Sequence, residues 1–298
     1  MNIAIIGYGS IGQRHEKNCL ALGHSVDVLS RHQRRKLARE IYDLVIICSK
    51  TSEHLQDVQK FKDISENFLV EKPLFSSYSG ALQIKRMLTN KKVRVGYCLI
   101  FNLIVDKVKK IIDKGTLGDI SLVQIYSGSY LPGWRKGDYR SGYSAIKNEG
   151  GGVELDLIHE VNYSQYLFPD KVSGVYSYKA KVSKLEITSN DLAVFIIKQK
   201  RRFLTITLNY FQQFPERYIK LVGEKGGLFA DLINNKIEIF GQKGQKSLTK
   251  KFDFNYNQMY IDEIESMIKF IKGKERQKRI LSMDQAIKDL SIVEGEIN

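Results

Sequence analysis

The chain opens with Met1-Asn2-Ile3-Ala4-Ile5-Ile6-Gly7-Tyr8-Gly9-Ser10-Ile11-Gly12. The apolar run before the glycines predicts a buried β-strand, and a segment of helical period begins at Ile11. Between them stands the pattern Gly-x-Gly-x-x-Gly, which in this position is typical of dinucleotide-binding folds. The first glycine permits a tight turn, the second lets the backbone approach a pyrophosphate, and the third lets the helix pack closely on the strand. The turn therefore predicts a dinucleotide site formed by Gly7, Gly9, Ser10, Ile11 and Gly12.

Strands and helices alternate through the first hundred residues, a pattern that predicts parallel β-α-β units. Strands are predicted at Asn2–Ile6, Ser25–Leu29, Leu44–Cys48, Phe68–Val70 and Val93–Tyr97, and helices at Ile11–Leu22, Glu53–Phe61, Gly80–Leu88 and Asn102–Lys114. The run from Leu44 is apolar at consecutive positions, so helices should cover both faces of its sheet. Residues 1–118 are therefore predicted to form a doubly wound Rossmann domain.

After residue 118 short strands follow one another with few helices between them. The predicted strands are Ser121–Tyr126, Gly174–Tyr178, Leu192–Ile197, Phe203–Tyr210, Tyr218–Val222, Gly227–Asp231 and Lys236–Phe240, and the predicted helices are Gly152–Phe168, Gln258–Ile271 and Met283–Val293. Alternation within several strands favours an antiparallel sheet with one solvent-facing side, and Asn234-Asn235 favours a hairpin turn. Residues 119–298 are therefore predicted to form an α+β domain with a mostly antiparallel open sheet, whose C-terminal helix is free to pack back on the Rossmann domain.

Composition narrows the classes of function. The chain has 298 residues and 43% hydrophobic content, enough for two domains, but it lacks the roughly 18 uninterrupted apolar residues of a membrane helix and a signal-peptide pattern. A cytoplasmic protein without a membrane partner is expected. The three cysteines have no metal or redox spacing, so we predict reduced core residues and no metal site. The net charge of +14 comes from basic residues scattered among 33 acidic ones, which argues against a nucleic-acid partner.

The second predicted strand bears on the identity of the cofactor. NAD-binding proteins place an acidic residue about 20 positions after the glycine loop, where it accepts hydrogen bonds from the ribose 2′-hydroxyl. This chain has Ser30 and Arg31 there, followed by Arg34 and Arg35. Such a set can hold a 2′-phosphate through charge-assisted hydrogen bonds, so NADP is preferred over NAD. Arg34 and Arg35 are equally well explained as the solvated start of a helix.

Two further stretches carry candidate catalytic groups. Glu71-Lys72-Pro73 ends the fourth strand at the carboxyl edge of the sheet, where ligands of such folds bind. Neighbouring strand residues point to opposite faces, so we expect Lys72 rather than Glu71 to face the reactive ring. Gly150-Gly151-Gly152 opens the apolar helix, and the glycines are expected to let a ligand approach closely. Asp156 and His159 are three residues apart on that helix and should share a face.

With these motifs in place, the chain resembles the Gfo/Idh/MocA family, the relatives of glucose-fructose oxidoreductase and inositol dehydrogenase. The resemblance runs nearly end to end: Gly7 to Gly12 with Arg14-His15, Ser49 and His54 after the third strand, Glu71-Lys72-Pro73, Gly96-Tyr97 with Asn102, and Gly150 to His159. It implies hydride transfer between NAD(P) and a sugar, cyclitol or related carbohydrate. It also implies an open sheet that makes the interface of a homo-oligomer, a dimer or tetramer.

The same resemblance implies roles for individual residues. Lys72 matches the active-site lysine and His159 the acid-base histidine, while Ser49, His54 and Glu71 are expected near the cofactor and Tyr97 and Asn102 near the substrate. Asp156 precedes the histidine by three positions, whereas many members have four. Either Asp156 or Glu160 therefore supports His159.

One branch of the family, associated with bacterial surface sugars including nonulosonic acids, resembles this chain around Trp134-Arg135, Asp138-Tyr139-Arg140 and Tyr143-Ser144-Ala145. Stacking of Trp134 on a sugar ring, and a carboxylate or phosphate clamp made by Arg135 and Arg140, are one interpretation. A loop packed across the sheet by Trp134, with solvated arginines, is the other.

These residues suggest a mechanism. In oxidation His159 removes the proton of a substrate hydroxyl and Lys72 stabilises the developing oxyanion, and reduction runs the same roles backward. Two alternatives stay open, because a fold does not determine a function. One is a cofactor-binding sensor or assembly protein without turnover; the other is an enzyme, such as an epimerase or glycosidase, that uses its bound cofactor transiently.

Overall fold

The structure is a computed structural model that describes residues 1–29, 41–274 and 282–296. The strands are β1 Asn2–Ile6, β2 Ser25–Leu29, β3 Leu44–Ile47, β4 Asn67–Glu71, β5 Lys92–Gly96, β6 Ile120–Tyr130, β7 Val172–Ala180, β8 Leu192–Gln199, β9 Arg202–Asn209, β10 Phe211–Gly223, β11 Gly226–Asp231, β12 Lys236–Phe240 and β13 Lys246–Lys251. The α-helices are α1 Ser10–Ala21, α2 His54–Phe61, α3 Tyr78–Met87, α4 Leu103–Asp113, α5 Val153–Asp156, α6 His159–Leu167, α7 Tyr256–Ile271 and α8 Met283–Glu294. In the ranges that the structure describes, no helix is both long enough and apolar enough to span a membrane.

Contacts divide the chain into two compact units, Met1–Phe101 with Tyr256–Leu290 and Asn102–Asn255 with Ser291–Asn298. The first unit contains a parallel sheet in the order β2-β1-β3-β4-β5. Every residue of β3 is buried, as expected when both faces of a parallel sheet are covered. This confirms the predicted Rossmann-like first sheet, and each of its predicted strands agrees with the structure to within one residue at either end.

The second unit is built on an eight-stranded sheet in the order β13-β12-β11-β10-β6-β9-β8-β7. All neighbouring pairs are antiparallel except β6 and β9, which are parallel. Alternate side chains of β9 are buried at Leu204, Ile206 and Leu208, so one face of the sheet belongs to the core. The predicted mostly antiparallel open sheet is confirmed, as is the hairpin between β11 and β12, in which Asn235 adopts φ +51°.

One sequence prediction in this unit is wrong, and one strand was missed. The helix expected at Gly152–Phe168 is two helices, because Leu157 leaves the helical region with φ −103° and ψ +28°. At this break the N–H of Glu160 bonds the carbonyl three residues back, at 3.2 Å from Leu157 O, instead of four. The strand β13 was not predicted, because all six of its residues are exposed and lack an alternating apolar pattern.

Candidate functional site

The turn between β1 and α1 can be formed only with glycine at two of its positions. Gly7 adopts φ +92°, and a Cβ there would lie 2.6 Å from the backbone N of Ser49. A Cβ on Gly12 would lie 2.2 Å from the carbonyl oxygen of Gly7. These two glycines therefore close the turn and pack α1 on the strands.

Gly9 differs, because a Cβ added to it would meet nothing within 4 Å. It is the N-cap residue of α1, and no side chain caps the helix. The first turn contains no acidic residue, so the positive end of the helix and the N–H groups of Ser10, Ile11 and Gly12 are available to an anion. This arrangement fits the pyrophosphate of a dinucleotide.

The strand order places this turn at the switch point of the sheet. From β1 the chain crosses to β2 on one side, and β3 lies on the other side. Ligands of open α/β sheets bind at the carboxyl ends of the two strands that flank such a point. Ser49 lies there, and its hydroxyl is buried without a hydrogen-bond partner among the described residues. A ligand group in this crevice would satisfy it.

His54 lies behind the crevice and is only 1% exposed. Its Nδ1 is 3.2 Å from the carbonyl of Leu74 and its Nε2 is 3.2 Å from the carbonyl of Ser49. Burial lowers the pKa of His54, so the ring is neutral near pH 7 and donates from one nitrogen only. The ring lies between the loops that follow β3 and β4 and donates a hydrogen bond to one of their two carbonyls.

Ser30 and Arg31, predicted to bind the ribose, lie outside the described residues, as do Arg34 and Arg35. The last described residue before them is Leu29, the end of β2. The choice between NADP and NAD consequently depends on the sequence argument alone.

The motif Glu71-Lys72-Pro73 follows β4, as predicted. The Glu71 carboxylate points into the interior, where its Oε1 is 2.7 Å from Nε2 of His15. Its Oε2 accepts the backbone N–H of Lys72 at 3.3 Å. Lys72 is half-buried, whereas Glu71 is only 8% exposed. Glu71 thus acts as an anchor for the backbone that carries the lysine.

A residue that the sequence analysis did not single out completes this interior cluster. Ligand-type atoms of His15, Glu71 and Glu263 all lie within 4.8 Å of one another. Glu263 belongs to α7 and stands four residues from both Met259 and Met267, which are buried. An acidic residue on the apolar face of an amphipathic helix is the signal that identifies it.

The second unit holds the candidate acid-base group. His159 is the first residue of α6 and is 9% exposed, and Asp156 is the last residue of α5. The break at Leu157 places the two residues on different helices. The Asp156 carboxylate accepts a hydrogen bond from the Tyr210 hydroxyl at 2.6 Å, and Oε1 of Glu160 lies 2.7 Å from Nε of Arg217. Each carboxylate predicted as the support of His159 therefore has a partner of its own.

Two of the three glycines before α5 do not leave the open approach that the sequence suggested. A Cβ on Gly151 would lie 2.2 Å from the carbonyl oxygen of Tyr143, and one on Gly152 would lie 2.8 Å from Oε2 of Glu154. Gly150 and Gly152 have φ +82° and +140°. Gly151 is therefore explained by tight packing on backbone carbonyls, and Gly150 and Gly152 by their positive φ.

A network of aromatic residues leads from Asp156 to the loop that carries the only tryptophan. Trp134 packs edge-on against Tyr210 at 5.2 Å and donates its indole N–H to Oγ of Ser129 at 2.9 Å. The Arg135 guanidinium lies 4.9 Å from the centre of the Tyr143 ring. Burial raises the pKa of Tyr143, and the charge of Asp156 raises it further. Trp134 and Arg135 are thus brought towards Asp156 through two tyrosines.

A cavity of about 140 Å³ adjoins this network, and its lining includes Trp134, Arg135, Lys136, Tyr139 and Ser144. Among the described residues, neither Arg135 nor Lys136 has a carboxylate within ion-pair distance. Arg140 does not line the cavity; it is paired with Asp138 at 2.8 Å and Glu186 at 2.8 Å. These partners raise the pKa of Arg140 and already neutralise the charge that the predicted clamp requires.

Tyr97 and Asn102, predicted to contact substrate, are both buried, with exposures of 1% and 0%. Oδ1 of Asn102 accepts the backbone N–H of Ile104 at 2.8 Å and caps α4. Its Nδ2 is buried with no hydrogen-bond partner in the described part of the chain. The capping role is an assignment that the sequence analysis missed, although an asparagine before an apolar helical run is a recognised start signal.

Both the sequence and the fold of this chain are similar to those of known proteins. Residues 105–245 match the family model described as GFO/IDH/MocA C-terminal domain. Myo-inositol 2-dehydrogenase of Thermotoga maritima is 24% identical over 311 residues, which cover 92% of this chain and 89% of that protein. 2,7-Anhydro-N-acetylneuraminate hydratase of Mediterraneibacter gnavus is 24% identical over 202 residues, 65% of this chain and 53% of that protein. The structure of levoglucosan dehydrogenase in complex with NADH is similar in fold, with a TM-score of 0.82 at 13% identity, covering 99% of this chain and 95% of that one.

Proposed function

We propose that the chain is a member of the Gfo/Idh/MocA family, whose C-terminal domain model matches residues 105–245, and that it is an NAD(P)-dependent oxidoreductase acting on a hydroxyl or keto group of a sugar or sugar derivative. The observation that carries the proposal is the turn after β1. Gly9 leaves open space at the uncapped start of α1, and the Ser49 hydroxyl, which follows the neighbouring strand β3, is buried with no hydrogen-bond partner among the residues that the structure describes. This is the place where a dinucleotide binds in parallel sheets of this kind.

The proposed chemistry uses one ammonium and one imidazole. Bound NAD(P) supplies the acceptor or donor of a hydride. Nε2 or Nδ1 of His159 takes the proton of the substrate hydroxyl in oxidation, and the Lys72 ammonium stabilises the oxygen as its negative charge develops. In reduction the imidazolium returns the proton. The tyrosine-bonded Asp156 and the arginine-paired Glu160 hold the two sides of the helix break at which His159 stands.

We further propose a sugar that carries an anionic group. The cavity beside Trp134 presents two cations, Arg135 and Lys136, to a space of about 140 Å³. A carboxylate there would gain charge-assisted hydrogen bonds from the guanidinium. An acidic sugar is consistent with a role in surface-polysaccharide biosynthesis. NADP stays the preferred cofactor on the strength of Ser30 and Arg31.

Replacement of the two reacting groups tests the proposal. Proton transfer by a positioned side chain is worth about 10²- to 10⁴-fold in rate, so Lys72→Met and His159→Ala should each lower kcat by at least roughly 100-fold. Dissociation constants for NADPH, measured by fluorescence, should change little. The matched control is Lys114→Met at an exposed lysine. Full turnover in both active-site variants would rule out the assignment.

A second candidate is favoured by the relatives named as hydratases. Addition of water to a sugar changes no net oxidation state, so such an enzyme would use its nicotinamide only transiently. Absorbance of the reduced nicotinamide separates the two functions. Net growth or loss of this band during turnover supports the dehydrogenase, whereas product formation at constant absorbance supports transient use.

A further inference from the structure

The interior cluster of His15, Glu71 and Glu263 joins three elements of the first unit. His15 belongs to α1, Glu71 ends β4, and Glu263 stands in the middle of α7. Their exposures are 0%, 8% and 1%. Two carboxylates and one imidazole therefore share a space from which water is largely excluded. Interactions among these three groups therefore determine which of them carry a proton.

Charge balance limits the possible states. If both carboxylates were ionised beside a neutral imidazole, the cluster would hold two buried like charges without compensation, which is unfavourable. Imidazolium, one carboxylate and one neutral carboxyl group sum to zero. The contact between His15 and Glu71 at 2.7 Å has the length of a charge-assisted hydrogen bond, so the neutral carboxyl group is that of Glu263. Burial raises the pKa of Glu263, and the charge of Glu71 raises it further.

The other groups around the cluster do not change this balance. Burial raises the pKa of the thiols of Cys48 and Cys98 and of the Tyr260 hydroxyl, so all three are neutral near pH 7. The Arg14 guanidinium lies 4.5 Å from the centre of the Tyr260 ring, and the Lys72 ammonium is carried by the residue after Glu71. Arg14 and Lys72 are thus the cations next in sequence to His15 and Glu71.

A metal ion is the alternative occupant of such a cluster. Two ligands of a tetrahedral zinc with bonds of about 2.0–2.1 Å would be separated by about 3.3 Å. The His15 and Glu71 atoms are closer than this, at 2.7 Å. In the described ranges no fourth histidine, cysteine or carboxylate joins the three, whereas structural zinc takes four ligands. The distances and the number of ligand groups therefore favour a hydrogen-bonded cluster over a bound metal ion.

Glu71 connects the cluster to the proposed active site, because its second oxygen accepts the backbone N–H of Lys72 at 3.3 Å. We propose that Glu263 is a positioning residue for Lys72: it holds a proton, balances the His15–Glu71 ion pair, and so fixes the carboxylate on which the Lys72 backbone rests. Only the expected effect of Glu263 on turnover rests on the proposed function. The cluster itself is present in the folded chain whether or not the protein is a dehydrogenase.

The protonation state is tested by stability, without any activity. Folded Glu263 keeps a proton that the unfolded chain loses above its ordinary value of 4.5, so native protein binds more protons and this contribution to stability declines as pH rises through the folded pKa. Glu263→Gln removes that decline. The Tm of Glu263→Gln minus that of the wild type should therefore grow as pH rises above 5, by about 2 °C per pH unit, and should level off once folded Glu263 ionises.

The matched control is Glu265→Gln on the same helix, where the carboxylate is exposed and pairs with Lys269 at 3.4 Å. Its Tm should follow the wild-type curve. Parallel curves for Glu263→Gln and wild type would overturn the protonated state. So would stoichiometric metal in the purified wild type by mass spectrometry, together with a Tm lowered by a chelator.

Positioning is tested by the reactivity of Lys72. The rate at which an amine reagent labels Lys72 can be measured by peptide mass spectrometry, with Lys114 as the internal standard. The rate should differ from that of the wild type in Glu263→Ala and should equal it in Glu263→Gln. In turnover, Glu263→Ala should lower kcat with little effect on KM, and the glutamine should restore most of it. Unchanged Lys72 labelling in Glu263→Ala, or failure of the glutamine to restore it, would overturn the positioning role. Because stability and labelling need no substrate, they decide this proposal even if no dehydrogenase activity is found.

Discussion

At the scale of single residues, the three glycines of the first turn have different roles, although the sequence motif does not distinguish them. Gly7 and Gly12 are required by the fold, because each would place a Cβ against backbone atoms, at 2.6 Å and 2.2 Å. Gly9 has φ −76° and ψ −170°, values that alanine adopts readily. The structure thus separates the glycines that close the turn from one that the fold does not require.

Gly9→Ala should consequently fold normally and bind the cofactor poorly. Its Tm should equal or slightly exceed that of the wild type, because alanine lowers the entropy of the unfolded chain. The dissociation constant for NADPH should rise by at least about tenfold, equivalent to ~1.4 kcal/mol. Gly7→Ala is the contrasting variant, which should lose stability as well. A Gly9→Ala protein that binds NADPH as tightly as the wild type would show that the pyrophosphate lies elsewhere.

At the scale of elements, Asn102, which the sequence predicted to contact substrate, stabilises the start of α4. Asn102 caps the helix through Ile104 and Val105, at 2.8 and 3.4 Å. Asn102→Ala should therefore lower the free energy of unfolding by about 1–2 kcal/mol, and Asn102→Ser should lose less because serine is also a good cap. Denaturant unfolding measures both. Ser77→Ala, at the cap of α3, provides the comparison. Equal stability of the alanine and serine variants would argue against the capping role.

Regular patterns made the elements of the first unit predictable. The strands β1 and β2 were predicted with their observed ends, because apolar runs of a parallel sheet stand out between glycine-rich turns and helices. The strand β13 could not be predicted from its sequence, because it is an exposed edge strand of lysine, serine and threonine around one leucine. Its pairing with β12 decides its conformation, and no local pattern records that pairing.

The limits of prediction for the candidate site have the same origin. Lys72 and the glycine turn were found because their residues are neighbours in sequence. Glu263 is 192 positions from Glu71 in the printed sequence, so only the fold brings their carboxyl groups into one cluster. The break after Asp156 also has no glycine or proline to mark it. The residues on its two sides contact Tyr210, between β9 and β10, and Arg217 on β10, which are distant in sequence.

At the scale of the whole molecule, the second sheet has a face that carries apolar side chains. Tyr176, Ile196 and Phe203 are 61%, 39% and 50% exposed, and Tyr176 stands directly opposite Ile196 on the neighbouring strand. An exposed apolar patch on one sheet face favours pairing of two copies about a twofold axis. We therefore expect a homodimer or a tetramer.

Ile196→Lys tests this expectation. A lysine on the patch should lower the mass observed by sedimentation to that of one chain, because a charge would be buried without a partner. Leu20→Lys, at an exposed leucine of the first unit, should leave the assembly unchanged. A wild-type protein that sediments as a monomer at micromolar concentration would refute the prediction.

Trp134 gives the molecule a built-in optical probe. It is the only tryptophan of the chain, its indole N–H is bonded to Ser129, and its ring lies at the edge of the cavity beside Arg135. When tryptophan is excited selectively, beyond the absorption of the 16 tyrosines, the emission of the unlabelled protein therefore originates from a single indole in the second unit. A sugar acid that enters the cavity alters the polarity around that indole, so candidate substrates can be ranked by simple titration before any product has been identified.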